Sequence, residues 1–161
     1  MPEPIRLVFD VHLYVNNVTG PDAQWPMVAQ VPPASGNPSA DAISLVFDGP
    51  GRFALFASPH IFRNTARVLE ADGLSAAFVV TYMTAIAEII TDSGGDVRDP
   101  GPVRDLGSRD FGDNHILALA LAVDADITVS DDADLTQLSP WRGRPILRPR
   151  DFIGQVLRFT R

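Results

Sequence analysis

Phe111-Gly112-Asp113-Asn114-His115-Ile116-Leu117-Ala118-Leu119-Ala120 sets a carboxylate at the start of an apolar helical run. Shortly downstream, Asp126-Ile127-Thr128-Val129-Ser130-Asp131-Asp132-Ala133-Asp134-Leu135 reads as a short strand ending in clustered acids. Near the N-terminus, Ile5-Arg6-Leu7-Val8-Phe9-Asp10 is another β-like apolar run that ends in a carboxylate. In a sheet flanked by helices, strand ends and helix starts gather at one edge of the sheet. Carboxylates at three such places can converge into one oxygen-only site, which suits a hard divalent cation such as Mg²⁺ or Mn²⁺.

Working outward, Arg6–Phe9 is expected as a buried strand and Val11–Asn17 as a short helix or turn after it. The stretch from Thr19 to Pro38 is rich in Pro, Gly, Ser and Asn and reads as a long loop or insertion. Ser39-Ala40-Asp41 can cap a helix that Asp48-Gly49-Pro50-Gly51 stops. Arg52–Ala57 is a second strand. Ser58 N-caps a helix with Pro59 at its first position, and a second helix from about Leu74 to Thr91 pairs with it. Val97 opens a short strand before Pro100 and Pro102 break the chain. Asp110 caps the helix that carries Asp113. Ile127–Ser130 is a strand, Asp132–Leu138 a short helix, and Arg144–Leu147 a last strand leading into Pro149–Arg158. Strands alternating with helices give an α/β fold with a mostly parallel sheet.

Composition narrows the chemistry. The chain has 161 residues, 45% of them hydrophobic, which fits a single domain over residues 1–161 with the insertion at about 19–38. It has no cysteine, which excludes disulfides, zinc–thiolate sites and thiol catalysis. All 13 basic residues are arginine. Without lysine there is no P-loop cation and no Schiff base, and an Asp-dependent phosphatase lacks its usual lysine. No basic segment precedes Asp10, and the apolar run Ala76–Ile90 contains Glu88 and is short for a bilayer span. A soluble, cytoplasmic protein without a membrane partner is expected. Net charge is −7 but unevenly spread. Residues 91–135 hold eleven Asp against three Arg, and residues 141–161 hold six Arg against Asp151. The acidic arm suits cations; the basic tail suits phosphates, or salt bridges to the surplus Asp.

Leu7-Val8-Phe9-Asp10, the segments 112–120 and 125–135, the middle stretch Gly51-Arg52-Phe53-Ala54-Leu55-Phe56-Ala57-Ser58-Pro59 and the closing Arg144-Pro145-Ile146-Leu147-Arg148-Pro149-Arg150-Asp151-Phe152 together carry a family pattern. On these residues the chain resembles the PIN-domain nucleases, most closely the VapC-like toxins of bacterial toxin–antitoxin systems. The resemblance implies a three-layer sandwich with a mostly parallel sheet of about five strands. It implies a metal-dependent endoribonuclease that cleaves RNA phosphodiesters to 5′-phosphate and 3′-hydroxyl ends. Mg²⁺ or Mn²⁺ would be held by three or four acids, of which Asp10, Asp113 and Asp132 match three. It also implies an antitoxin protein as partner and a homo-oligomer, a dimer.

The chain departs from the family pattern in three places. The second acid, a Glu in the family, falls at about Asn64. Val11 and His12 follow Asp10 where small polar residues are usual. Asp131 replaces the Gly before the last acid. These departures leave a second reading open, a catalytically weakened PIN-fold module that binds RNA or a protein. Asp10, Asp113 and Asp132 each have an alternative role as a helix cap or first-turn acid. Asn64, Asp110 and Asp131 stand where they can support the site or substitute for the missing acid. Arg144, Arg148 and Arg150 are the candidate RNA contacts. His12 and His115 read as hydrogen-bonded structural residues.

Overall fold

Leu7, Val8 and Phe9 have no exposed surface. A strand apolar on both faces belongs in the middle of a parallel sheet, and β1 (Ile5–Phe9) lies there. The computed structural model describes residues 3–20, 36–49 and 51–159. Around β1 the sheet order is β2-β1-β3-β4, with β2 at Phe53–Phe56, β3 at Ile127–Val129 and β4 at Ile146–Leu147. Every pairing is parallel, in the register Leu7↔Leu55, Leu7↔Ile127 and Val129↔Leu147. Parallel strands put all their carboxyl ends at one edge, so Asp10 and the acids after Val129 are neighbours by topology.

Among the described residues seven helices accompany the strands: α1 (Val11–Thr19), α2 (Pro38–Asp48), α3 (Pro59–Ala71), α4 (Ala76–Ser93), α5 (Phe111–Ala122), α6 (Ala133–Thr136) and α7 (Pro149–Phe159). Side chains alternate across a strand, which sorts the layers. Phe152 of α7 packs edge-on against Phe9 and Phe53, each with ring centroids 6.0 Å away, on one face of the sheet. Arg6 points to the other face, where its Nε donates to Val123 O at the end of α5, 2.6 Å away. The result is the expected α/β sandwich.

The sheet has four strands among the described residues, one fewer than expected. Val97 makes only an isolated parallel bridge to Ala57, because Pro100 and Pro102 lack the N–H groups a ladder needs. The open edge of β2 is closed instead by the end of α4. Leu55 N–H donates to Ser93 Oγ at 2.9 Å, and Gly95 lies so close that a Cβ there would meet Leu55 O. The helix α4 is long and apolar enough to cross a membrane, but it packs on β2, α3 and α2.

Local signals account for most helix starts. Ser58 Oγ accepts from Ile61 N–H with Pro59 at the first position, as expected. Asp110 Oδ1 accepts from Gly112 N–H and opens α5. The start of α2 differs from expectation. Asn37, not Ser39, caps it, accepting from Ala40 N–H, with Pro38 in the first turn. Asn37 Nδ2 also donates to Asn16 O at 2.7 Å, so this cap ties α2 to the end of α1, a tertiary reason to prefer it. The insertion expected at 19–38 lies largely outside the described residues; Thr19 closes α1 and Pro38 opens α2.

Phe152 is fully buried between two aromatic rings of the sheet. Phe152→Ala should therefore cost about 3–5 kcal/mol of stability, the range for a large aromatic truncated in a core. Urea unfolding measures it, and a loss under 1 kcal/mol would mean that α7 does not close this face.

Candidate metal centre

Asp10 follows β1 directly and caps α1. Its Oδ1 accepts from Val11 N–H at 2.7 Å and its Oδ2 from Ser130 Oγ at 2.6 Å. Asp132 follows β3, caps α6 through Asp134 N–H at 2.8 Å, and gives its own N–H to Ser130 Oγ at 3.0 Å. Asp113 sits in the first turn of α5, where Ser108 Oγ donates to its Oδ2 at 3.2 Å. The neighbouring Asn114 Oδ1 accepts from the Leu106 and Ser108 N–H groups, which pins that loop against α5. One carboxylate oxygen from each of Asp10, Asp113 and Asp132 lies within 4.8 Å of the other two.

Capping and convergence are therefore not alternatives for Asp10 and Asp132. Each carboxylate uses an oxygen for its helix cap while the group as a whole faces the cluster.

Asp10 and Asp113 are 6% and 7% exposed. Among the described residues the ion pairs are Arg98–Asp96, Arg144–Asp124 and Arg148–Asp131, so no cationic side chain pairs with the cluster. Burial pushes the Asp10 carboxyl up from its ordinary 3.8; the hydrogen bond from Ser130, the nearby His12 and the Val11 N–H oppose this, and Asp132 adds to it. Burial, then the nearby Asp132, Asp10 and Asp110, push Asp113 up to about 7. Such a cluster holds surplus negative charge at neutral pH, and a divalent cation is the direct way to relieve it. The donors are all oxygen, as Mg²⁺ and Mn²⁺ prefer.

The cluster opens into a cleft of about 300 Å³ that His12, His60, Asn64, Arg67 and Asp110 also line. Asn64, in place of the family's second acid, is thus in the cleft, but its oxygen is already engaged: Arg67 donates to Asn64 Oδ1 at 3.0 Å. Arginine can only donate, so the Asn64 amide nitrogen faces His60 and donates to its Nε2 at 2.9 Å. Burial, then His115 and the nearby Arg63 and Arg67, lower the His60 pKa below its ordinary 6.5, which keeps the ring neutral at pH 7. Its ring stacks on His115, centroids 3.8 Å apart and 5° from parallel.

Four other candidates lie away from the cluster. Asp131 is exposed and turns to Arg148, 3.7 Å away. Arg144 precedes β4, at the opposite edge of the sheet, and pairs with Asp124 at 2.6 Å. Arg148 and Arg150 follow β4 and line a separate cavity of about 480 Å³ with Asp131 and Asp151. Sequence reading singled out neither Ser130 and Ser108, which orient two of the three carboxylates, nor His60 and Arg67 in the cleft wall.

A family model for the PIN domain matches residues 6–134, a span that contains all three carboxylates. The chain belongs to the PIN-domain family. A comparison with curated proteins finds no match. PIN domains are of the nuclease type and generally use divalent metals, and this PIN domain carries an acidic cluster able to hold one.

Without a cation, the raised Asp113 pKa makes the folded state bind a proton that the unfolded chain has released. Stability from this group is present below about pH 4 and is lost as pH rises towards 7. Asp113→Asn should flatten that decline, measured by thermal unfolding in chelator between pH 4 and 8. Equal slopes would mean that Asp113 does not feel its neighbours.

At neutral pH, Mn²⁺ at a hundred times its Kd should stabilise the PIN domain by about 2.7 kcal/mol, or roughly 5–10 °C in Tm. Asp113→Asn should remove most of that shift, and an undiminished shift would exclude Asp113 as a ligand.

Proposed function

We propose that this PIN domain is a metal-dependent endoribonuclease, with Asp10, Asp113 and Asp132 as its catalytic metal ligands and Mg²⁺ or Mn²⁺ as cofactor. The observation that carries the reading is the approach of three carboxylates to within 4.8 Å at the carboxyl edge of the sheet. Asp10 and Asp113 are buried beside Asp132, and such like-charged burial carries a desolvation and repulsion cost that a divalent cation would relieve.

A bound cation supplies a more acidic water and neutralises charge on the phosphate. The protein's own share is positional. Ser130 holds the Asp10 carboxylate and the Asp132 backbone; Ser108 holds Asp113. Three bare carboxylates repel an RNA phosphate, so the acidic wall admits substrate only in company with a cation. Hydrolysis adds one water across the P–O3′ bond. The hydroxyl goes to phosphorus, the proton to O3′, and the ends are 5′-phosphate and 3′-hydroxyl.

The resemblance of residues 112–135 to the VapC-like group supports the narrower reading of a cytoplasmic toxin, a homodimer held inactive by an antitoxin protein. Arg148 and Arg150 remain proposed RNA contacts, since they share the carboxyl edge with the cluster. Arg144, at the far edge, is better explained by its pairing with Asp124. One observation favours the second reading, a binding module with weakened catalysis: Asn64 stands in place of the family's second acid, and its oxygen is taken by Arg67.

Single-stranded RNA incubated with Mn²⁺ distinguishes the two. Cleavage that chelator abolishes, leaving 5′-phosphate ends, is expected, and Asp113→Asn should slow it by on the order of a hundredfold or more, the scale of losing one electrostatic group at the reacting centre. RNA binding without cleavage at any Mn²⁺ concentration would support the binding module instead.

A further inference from the structure

Beside the acids, His60, Asn64 and Arg67 of α3 line the cleft, and contacts continue from His60 to His115 and Phe111 of α5, which adjoin that lining. Phe111, His115, His60, Asn64 and Arg67 form one continuous chain of contacts from the first turn of α5 to the middle of α3. Phe111 meets His115 edge-on at 6.0 Å, His115 stacks on His60, Asn64 donates to His60, and Arg67 donates to Asn64. Two ends of this chain lack the partners their chemistry calls for. Phe111 is 57% exposed, a large aromatic ring in water at the first position of a helix. Arg67 lines the same cleft as three carboxylates, yet it is in none of the ion pairs among the described residues. Its hydrogen bond to Asn64 takes one of the five guanidinium donors.

A guanidinium held beside an acidic cation site without neutralising it is placed for an anion that the cation also attracts. An aromatic ring left bare at the other end of the same chain of contacts is placed for a flat, apolar face. A phosphodiester flanked by an unstacked base offers both. We propose that the α3–α5 wall is the track of a single-stranded RNA, with Arg67 gripping a backbone phosphate and Phe111, backed by the His115–His60 stack, receiving an unpaired base. This rests on the nuclease reading and adds to it the strandedness of the substrate and the two residues that bind it. It also gives the exchange at Asn64 a role: the amide steadies Arg67, whereas a Glu there would lock the guanidinium in an ion pair.

The test separates charge from stacking. Binding is measured with a short single-stranded RNA whose 3′-methylenephosphonate linkages replace the scissile P–O bond by P–C, in Mn²⁺ over a range of salt. Arg67→Gln should weaken binding and flatten the slope of log affinity against log salt by about 0.7. Phe111→Ala should weaken binding roughly 5- to 100-fold and leave the slope unchanged. On an abasic strand of equal charge, Phe111→Ala and wild type should bind alike. Both variants should keep the Mn²⁺-induced rise in Tm, which shows an intact fold and cation site. Should wild type cleave RNA while both variants bind the phosphonate strand as wild type does, the track is wrong and the nuclease reading stands. A wild type that neither binds nor cleaves overturns both.

Discussion

One buried hydroxyl joins the sheet to the site. Ser130 has no exposed surface; its N–H donates to Leu147 O, which fastens the end of β3 to β4. Its Oγ donates to Asp10 Oδ2 and accepts from the Asp132 N–H. A single side chain thus fixes the carboxylate after β1 relative to the backbone after β3. A hydrogen bond to a charged acceptor is worth about 1.5–3 kcal/mol, and here it is made inside the core, where its geometry cannot drift. The Asp10 N–H completes the frame by donating to Val129 O. Central placement of β1 between β2 and β3 is what brings these groups together.

Against that frame stands an electrostatic penalty. The cluster gathers buried carboxylates with hydroxyl and backbone donors but outside the ion pairs among the described residues, and burial, with the neighbouring carboxylates, displaces the Asp10 and Asp113 carboxyls upward. Packing of Phe152, Phe9 and Phe53 on one face, and of α5 on the other, holds the carboxylates together despite their repulsion. The stability of the fold is spent at the place where a divalent cation would restore balance. Arg67 keeps positive charge nearby without cancelling the cluster, because Asn64 holds it to the α3 side of the cleft.

Legibility in the sequence followed the range of the interactions. Local ones were readable: Ser58 before Pro59, Asp110 before α5, and the carboxylates directly after Phe9 and in the first turn of α5. The convergence of Asp10, Asp113 and Asp132 was readable too, since parallel strands force their carboxyl ends together. What depended on distant partners was not. Asn37 won the cap of α2 over Ser39 because it also reaches Asn16 O. Ser130 looks like any strand residue until Asp10 is placed beside it. His60 and His115 are far apart in the chain, and nothing local announces their stack. Arg144 and Arg148 seemed one basic patch, yet the intervening β4 sends them to opposite edges of the sheet. Val97 looked like a strand because its neighbours are β-compatible, but the prolines after it stop the ladder at one bridge.

Anomalous diffraction from crystals soaked in Mn²⁺ tests the central claim most directly, since it locates the cation without reference to activity. One peak within bonding distance of carboxylate oxygens from Asp10, Asp113 and Asp132 together is the predicted result. Saturating Mn²⁺ that leaves this cluster empty, or that binds only at surface acids such as Asp131, would contradict it.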